Sequence, residues 1–240
     1  MKNFKTILSI TLLLLIVGIT SCTSSSKREI TEEDYPTIES FSSVKSDIIA
    51  NIEYTQSDIV KVRVKGDKKL VENLVVSETD GVLNLSSVKK LNTKGQKRMA
   101  VYISGPTLEK IDMGGVGNFM LNGSVEAETL TVNFKGVGNF EGMDLQSNTI
   151  KATYEGVGNL ELAGKTDLLE LRSEGVGNVN TEELKAKDAV VKARGVGSVK
   201  CYASESIDLT NNGVGSITYF GNPVVDNLIN AGVGKIIPGK

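Results

Sequence analysis

The chain is 240 residues long, with 27 basic and 29 acidic residues, no histidine and no tryptophan. That length suffices for one sizeable core, and the near balance of charge speaks against a nucleic-acid partner, which would call for a basic face. With only two cysteines, Cys22 and Cys201, no disulfide framework is expected.

The first element reads as a signal sequence. Lys2 and Lys5 precede an apolar stretch from Ile7 to Ile19. The stretch falls short of the ~20 residues that span a bilayer and suits a secretory h-region. It closes with Ile19-Thr20-Ser21-Cys22, which resembles a bacterial lipobox. That resemblance implies cleavage before Cys22, diacylation of its thiol and acylation of the new amine. One acyl chain holds a protein on a membrane only marginally, whereas two or more hold it stably. The alternative is an ordinary cleaved signal peptide in which Cys22 has no special part. The expected layout is a signal peptide over 1–21 and a lipidated N-terminus with a flexible linker over 22–37. The linker carries Thr23-Ser24-Ser25-Ser26-Lys27-Arg28 and the acidic run Glu32-Glu33-Asp34, neither able to bury much apolar surface. Without Lys2 and Lys5 the mature chain holds 25 basic and 29 acidic residues, a net charge of −4.

Residues 38–110 alternate apolar and polar positions. Val60-Lys61-Val62-Arg63-Val64, Val82-Leu83-Asn84-Leu85 and Val101-Tyr102-Ile103 read as strands. Gly66-Asp67 and Asp80-Gly81 read as turns, and Lys68 to Leu74 as a brief helical turn. This part is expected to form the less regular first coils, and the cap, of the structure that follows.

From residue 111 to 240 the chain repeats. Gly-Val-Gly begins at Gly115, Gly136, Gly156, Gly175, Gly195, Gly213 and Gly232, in steps of 21, 20, 19, 20, 18 and 19 residues. Its second glycines are Gly117, Gly138, Gly158, Gly177, Gly197, Gly215 and Gly234. Asn118, Asn139, Asn159 and Asn178 follow the first four copies; Ser198, Ser216 and Lys235 follow the last three. The next position is Phe119, Phe140, Leu160, Val179, Val199, Ile217 and Ile236, and four residues before each copy stand Ile111, Val132, Ala152, Leu171, Val191, Leu209 and Leu228. Such period-two alternation is the mark of half-buried strands. A unit this small cannot bury its own apolar face, so like units must stack. The period near twenty predicts an all-β, single-stranded parallel β-helix, one unit per coil. The glycines are expected at a tight corner, where a missing Cβ permits unusual backbone angles. The valines are expected to stack inward as one column, and the four asparagines to form a ladder at the corner. A phosphate-cradling reading of Gly-Val-Gly-Asn fails, because that fingerprint needs a following helix and none is predicted.

Three pieces of this chain also resemble a known bacterial family: the segment from Phe41 to Ile59, Val62-Arg63-Val64-Lys65-Gly66-Asp67 leading to Gly81-Val82-Leu83-Asn84-Leu85, and the Gly-Val-Gly-Asn repeats. The family is the head GIN domain, or putative auto-transporter adhesin, common among exported proteins of Bacteroidetes. The resemblance runs from about Phe41 to the C-terminus. It implies a single-stranded β-helix, an exported protein and an adhesin-like role, and it carries no catalytic motif and no cofactor.

Chemistry is sparse. Glu141 and Glu161 should stand roughly 5 Å apart on neighbouring coils, within the 5–10 Å separation of glycosidase carboxylates. Lys135, Glu155, Glu174 and Arg194 should form a second outward column whose mixed signs suit a solvated face with weak ion pairs; Asp112 is a further outward acid. By parity Cys201 points into the core, Tyr154 and Tyr219 share the inward sets, and Tyr202 and Phe220 point out. No metal site and no cofactor is expected. The expectation is a membrane-tethered binding or scaffolding module of the cell envelope, on the outer membrane, meeting a glycan or an envelope or host protein. The alternatives are a carbohydrate-active β-helix enzyme and a purely structural envelope protein.

Overall fold

The computed structural model describes residues 29–89 and 98–240. The signal peptide, Cys22 and the first part of the linker lie outside the described residues. The strands are β1 (Ile30–Asp34), β2 (Ser43–Ser46), β3 (Asn51–Gln56) and β4 (Lys61–Asp67), then the one-turn helix α1 (Lys68–Val71). There follow β5 (Leu74–Thr79), β6 (Val82–Ser87), β7 (Met99–Gly105), β8 (Lys110–Met113), β9 (Phe119–Asn122), β10 (Val125–Phe134) and β11 (Val137–Tyr154). The chain ends with β12 (Val157–Ser173), β13 (Val179–Ala193), β14 (Val199–Asn211), β15 (Ile217–Phe220), β16 (Val224–Asn230) and β17 (Ile236–Pro238). Each long strand from β11 to β14 winds through one coil and bonds in parallel register to the next. The fold is therefore the β-solenoid that the repeat predicts.

Stacking the repeats in register builds the core as columns. Ile111, Val132, Ala152, Leu171, Val191 and Leu209 lie one above the other and are buried, as are Phe119, Phe140, Leu160, Val179, Val199 and Ile217. Aromatic rings in neighbouring coils stack: Phe119 on Phe140 at 5.3 Å between centroids and Phe134 on Tyr154 at 5.7 Å. Pairs of this kind contribute about 0.5–1.5 kcal/mol beyond their buried area.

The valine column runs opposite to expectation. Val137, Val157 and Val176 are 50%, 50% and 53% exposed, and every motif valine from Val116 to Val233 faces solvent. The reason is parity. Ala152, Tyr154 and Leu160 all point inward, so uninterrupted period-two alternation assigns Gly156 and Gly158 to inward positions and Val157 to the outside. The glycines occupy the crowded side and the valine the open one.

The N-terminal part is a cap of a different design. The chain lays down β2 and β3, then doubles back. β2 ends up between β6 and β8, and β3 between β7 and β9, all in parallel pairs. The outer edges of β6 and β7 are covered by antiparallel β5 and β4. The coil order is thus interleaved rather than sequential, and the parallel coils end at this side under antiparallel strands, a cap of the kind a repeat array requires. The flexible linker expected over 22–37 is corrected in its second half: Ile30–Asp34 is β1, paired antiparallel with β4 and fixed by Arg63 to Glu32 and Asp34 at 3.1 Å each. Gly66-Asp67 is also no turn but the end of β4, where a Cβ on Gly66 would meet the Arg98 carbonyl. Asp80-Gly81, with φ of 53° and 75°, is the two-residue β5–β6 turn.

Candidate functional site

Two surfaces run along the solenoid, and each is built from residues at one position of successive coils. The first is the Gly-Val-Gly-Asn corner. Gly158 has φ of 135°, and a Cβ there would collide with the Gly138 carbonyl oxygen of the coil before. Its partner Gly156 lacks the positive φ but would drive a Cβ into the Gly136 carbonyl and the Phe134 ring. The same split recurs in the other copies: Gly117, Gly138, Gly177, Gly197, Gly215 and Gly234 have positive φ, while Gly136, Gly175, Gly195, Gly213 and Gly232 sit against a preceding carbonyl. Gly115 does both. The corner is tight because its backbone bonds both ways, Val157 N–H to the Gly136 carbonyl and Gly158 N–H to the Val176 carbonyl, each at 3.0 Å.

Beside it stands the asparagine ladder. The backbone N–H of Asn139 donates to Asn118 Oδ1 at 3.0 Å, that of Asn159 to Asn139 Oδ1 at 3.0 Å, and that of Asn178 to Asn159 Oδ1 at 3.2 Å. Each side chain thus satisfies a donor of the next coil. Ser198 N–H extends the ladder by donating to Asn178, and Lys235 N–H donates to Ser216 Oγ. The ladder begins one coil before the motif: Asn118 N–H donates to Asn51 Oδ1 at 3.1 Å. Ile49-Ala50-Asn51 is a degenerate eighth copy, with Ile49 bridged to Val116. Its signal in the sequence was the same apolar, small, asparagine order, hidden by the loss of both glycines.

The acids first weighed for catalysis lie outside the main cavities lined by the described residues. Glu141 and Glu161 are register partners on an open sheet face, flanked in their column by Met120 and Asn180, and Asn180 Nδ2 donates to Glu161. Lys135 pairs with Glu155 at 2.9 Å, and Arg194 reaches Glu174 at 3.8 Å. Partial burial pushes the Asp112 carboxyl up, but Lys110 and Asn133 outweigh it and hold the group below the usual carboxylate range. Cys201 is fully buried, and burial pushes its thiol up to about 12, the state of a packed side chain rather than a nucleophile. Tyr154 is buried with its hydroxyl 2.7 Å from the Gly158 carbonyl oxygen. Among the described residues no group of His, Cys, Asp and Glu is arranged to hold a metal, and no helix is long and apolar enough to cross a membrane.

The second surface is a trough on the coil's return segment. Glu126, Gln146, Lys165 and Lys185 lie in register on successive coils and are exposed. Two positions on, Glu128, Asn148, Asp167 and Lys187 form a second exposed row. Between the rows the floor is small: Ala127, Ser147, Thr166 and Ala186. The open space above them is about 760 Å³. One end is acidic, through Glu126 and Glu128. The other is basic: Lys187 pairs with Asp167 at 2.7 Å, and Lys185 lies 4.4 Å over the outward Tyr202 ring. Lys165 makes no ion pair among the described residues. No sequence argument singled out these rows, although their spacing follows the motif period and is legible once the coils are phased.

Comparison with known proteins places this geometry in a family. A family model described as putative auto-transporter adhesin, head GIN domain, matches residues 40–223. The solved structure of a putative adhesin from Bacteroides fragilis is 32% identical, covers 89% of this chain and 98% of its own, and superimposes with a TM-score of 0.86. A putative lipid binding protein from Parabacteroides distasonis is 19% identical, with coverage of 88% and 97% and a TM-score of 0.69. A putative adhesin from the same organism is 21% identical, with coverage of 88% and 98% and a TM-score of 0.65; these last two share the fold. No curated protein matches.

Proposed function

The chain belongs to the head GIN domain family of putative auto-transporter adhesins, and on that membership we propose that it is an exported, lipid-anchored and non-catalytic binding module of the bacterial envelope. Cys22 is its anchor and the trough between Glu126 and Lys187 its binding face. The observation that carries the reading is the trough itself. It is open and lined by charged, amide and hydroxyl-bearing residues over four coils, where a small-molecule site is concave and lined mainly by hydrophobic and aromatic side chains. Its rows repeat at the coil spacing of ~4.8 Å, which suits an extended, hydrated chain lying along the axis. Gln146 and Asn148 offer amide groups of the kind sugar hydroxyls pair with, over a floor in which the Ser147 and Thr166 hydroxyls are turned away from solvent. Lys165 would draw acidic substituents to one end, where Lys185 lies over the Tyr202 ring and beside Glu183. The ligand class is therefore a linear glycan, and the module holds it without cleaving it.

The test has two arms. Fractionation of cells should find the protein with membranes under high salt, and Cys22→Ser should release it; retention of that variant would overturn the anchor. Full-length protein should retain at least one of a panel of neutral and acidic polysaccharides without shortening it. Cleavage lost in Glu141→Gln or Glu161→Gln would overturn the non-catalytic reading.

A further inference from the structure

The valine column is the one repeated feature of the corner that the fold does not require. The glycines answer to backbone geometry and the asparagines to backbone donors, but a half-exposed position tolerates most residues. The adjacent exposed column shows that tolerance, with Lys135, Glu155, Glu174, Arg194, Asn212 and Ala231. The valine column instead keeps Val116, Val137, Val157, Val176, Val196, Val214 and Val233 without exception, preceded by Ile49. All are between 38% and 70% exposed. Eight coils at ~4.8 Å make an apolar ridge about 34 Å long. The positions on either side of it face inward, so the ridge stands between two shallow, backbone-floored troughs that separate it from the charged and the asparagine columns.

We propose that this ridge is where two copies of the chain pair side by side and parallel. A second copy fits because its ridge and its troughs share the same axial step, so a match made at one coil holds at all of them. With the twofold axis along the rods, each ridge settles in the other's trough between the valine and asparagine columns. Lys135, Glu155, Glu174 and Arg194 then stay at the wet rim. In a centred antiparallel pair the charged columns would meet instead, with Lys135 opposite Arg194 and Glu155 opposite Glu174, and like charges repel. The strip from charged column to asparagine ladder is about 13 Å wide, which gives a contact of about 900 Å² over both copies. That is just below the roughly 1,000 Å² expected of a specific interface. Pairing is thus weak in dilute solution and strengthens where copies are confined together. The parallel orientation also puts both N-termini on one side, as a shared membrane tether would need; the pairing itself does not depend on the tether.

The experiment is thiol cross-linking of the full-length protein, in cells and after purification, with a short bismaleimide. Protein without an added cysteine sets the background, to which buried Cys201 should contribute little. Val116→Cys alone and Val214→Cys alone should each form dimers. Adding Val157→Thr, Val176→Thr and Val196→Thr, which keep the β-branched shape, should cut the yield roughly tenfold while melting changes little. The proposal is overturned if each variant cross-links no better than Lys165→Cys on the other surface. Products only from mixed Val116→Cys and Val214→Cys chains, or yields indifferent to the threonines, would overturn it equally. A Cys22→Ser background separates the two readings: dimers there, off the membrane, uphold the pairing on its own, and loss of membrane binding alone leaves it standing.

Discussion

At the corner, seven coils carry the same three residues; across the trough, no two neighbouring coils carry the same pair. Both surfaces are exposed strips of one solenoid, built on the same coils and at the same axial spacing. What differs is who chooses the residue. At the corner the backbone chooses, since Gly158 has a positive φ and no room for a Cβ, and Asn159 must serve a donor of the next coil. In the trough nothing in the fold prefers Gln146 over Lys165. Repetition therefore marks structural demand, variation marks freedom to meet a ligand, and the exposed valine is notable because it repeats without such a demand.

Alanine at the corner should break this contrast most strongly. Gly158→Ala combines an unfavourable φ with a steric collision and should cost at least about 1–3 kcal/mol, read as a lower midpoint in urea. Gly156→Ala and Gly175→Ala, where only the collision applies, should also fall clearly below wild type. Gly232→Ala meets the same kind of carbonyl contact, but in the last coil, where β16 and β17 are each paired on one side only and Val224, Leu228 and Ile229 are exposed. Stability in a solenoid is roughly a sum of coil and interface terms, so that lesion should fray one coil and lower the midpoint least. Equal losses at the central and terminal sites would mean that the array unfolds as one block.

Beneath both surfaces lies the core they share, and Cys201 reports on how dry it is. Its thiol is pushed up to about 12 in the folded protein by burial, against ~8.5 unfolded. A folded pKa raised above the unfolded one means that the stabilisation is complete below pH ~8.5 and is lost as pH rises towards 12. The slope from this group reaches at most about 1.4 kcal/mol per pH unit. Cys201→Ala should flatten the loss of stability between pH 9 and 11, and in a Cys22→Ser background thiol reagents should label Cys201 only as fast as the protein opens. Rapid labelling would show that water enters the core.

The ladder comes next in size. Asn159→Ala removes the acceptor for Asn178 N–H, worth about 0.5–1.5 kcal/mol and toward the lower end at this exposed site. Asn159→Ser should recover part of it, as Ser216 does for Lys235. The smallest effect belongs to the trough, where Gln146→Ala and Lys165→Ala should stay within about 0.5 kcal/mol of wild type.

The architecture was legible because a strict period in the sequence is a strict period in space. The coil length, the core columns and the inward Cys201 all followed from spacing and parity. The valines, expected inward, face outward because parity carried from Tyr154 to Leu160 runs straight through the corner. The interleaved cap was not legible: β2 and β3 carry no mark of pairing with β6 and β7 across a long detour. β1 looked like a leash because its acids find their partners, Arg63 and Lys65, only after the chain returns. The trough stayed hidden for the opposite reason to the corner, since a surface left free to vary has no pattern until the coils are stacked.

The division of labour between the two surfaces can be put to one direct measurement. Polysaccharide retained by the full-length protein is titrated against wild type, a Gln146→Ala/Lys165→Glu trough variant and a Val157→Thr/Val176→Thr ridge variant, with melting recorded for each. The account predicts roughly tenfold weaker binding for the trough variant, the size of two lost polar contacts, at an unchanged melting temperature, and ordinary affinity per chain for the ridge variant. Binding that survives the trough changes, or that fails only when the ridge is altered, would contradict it.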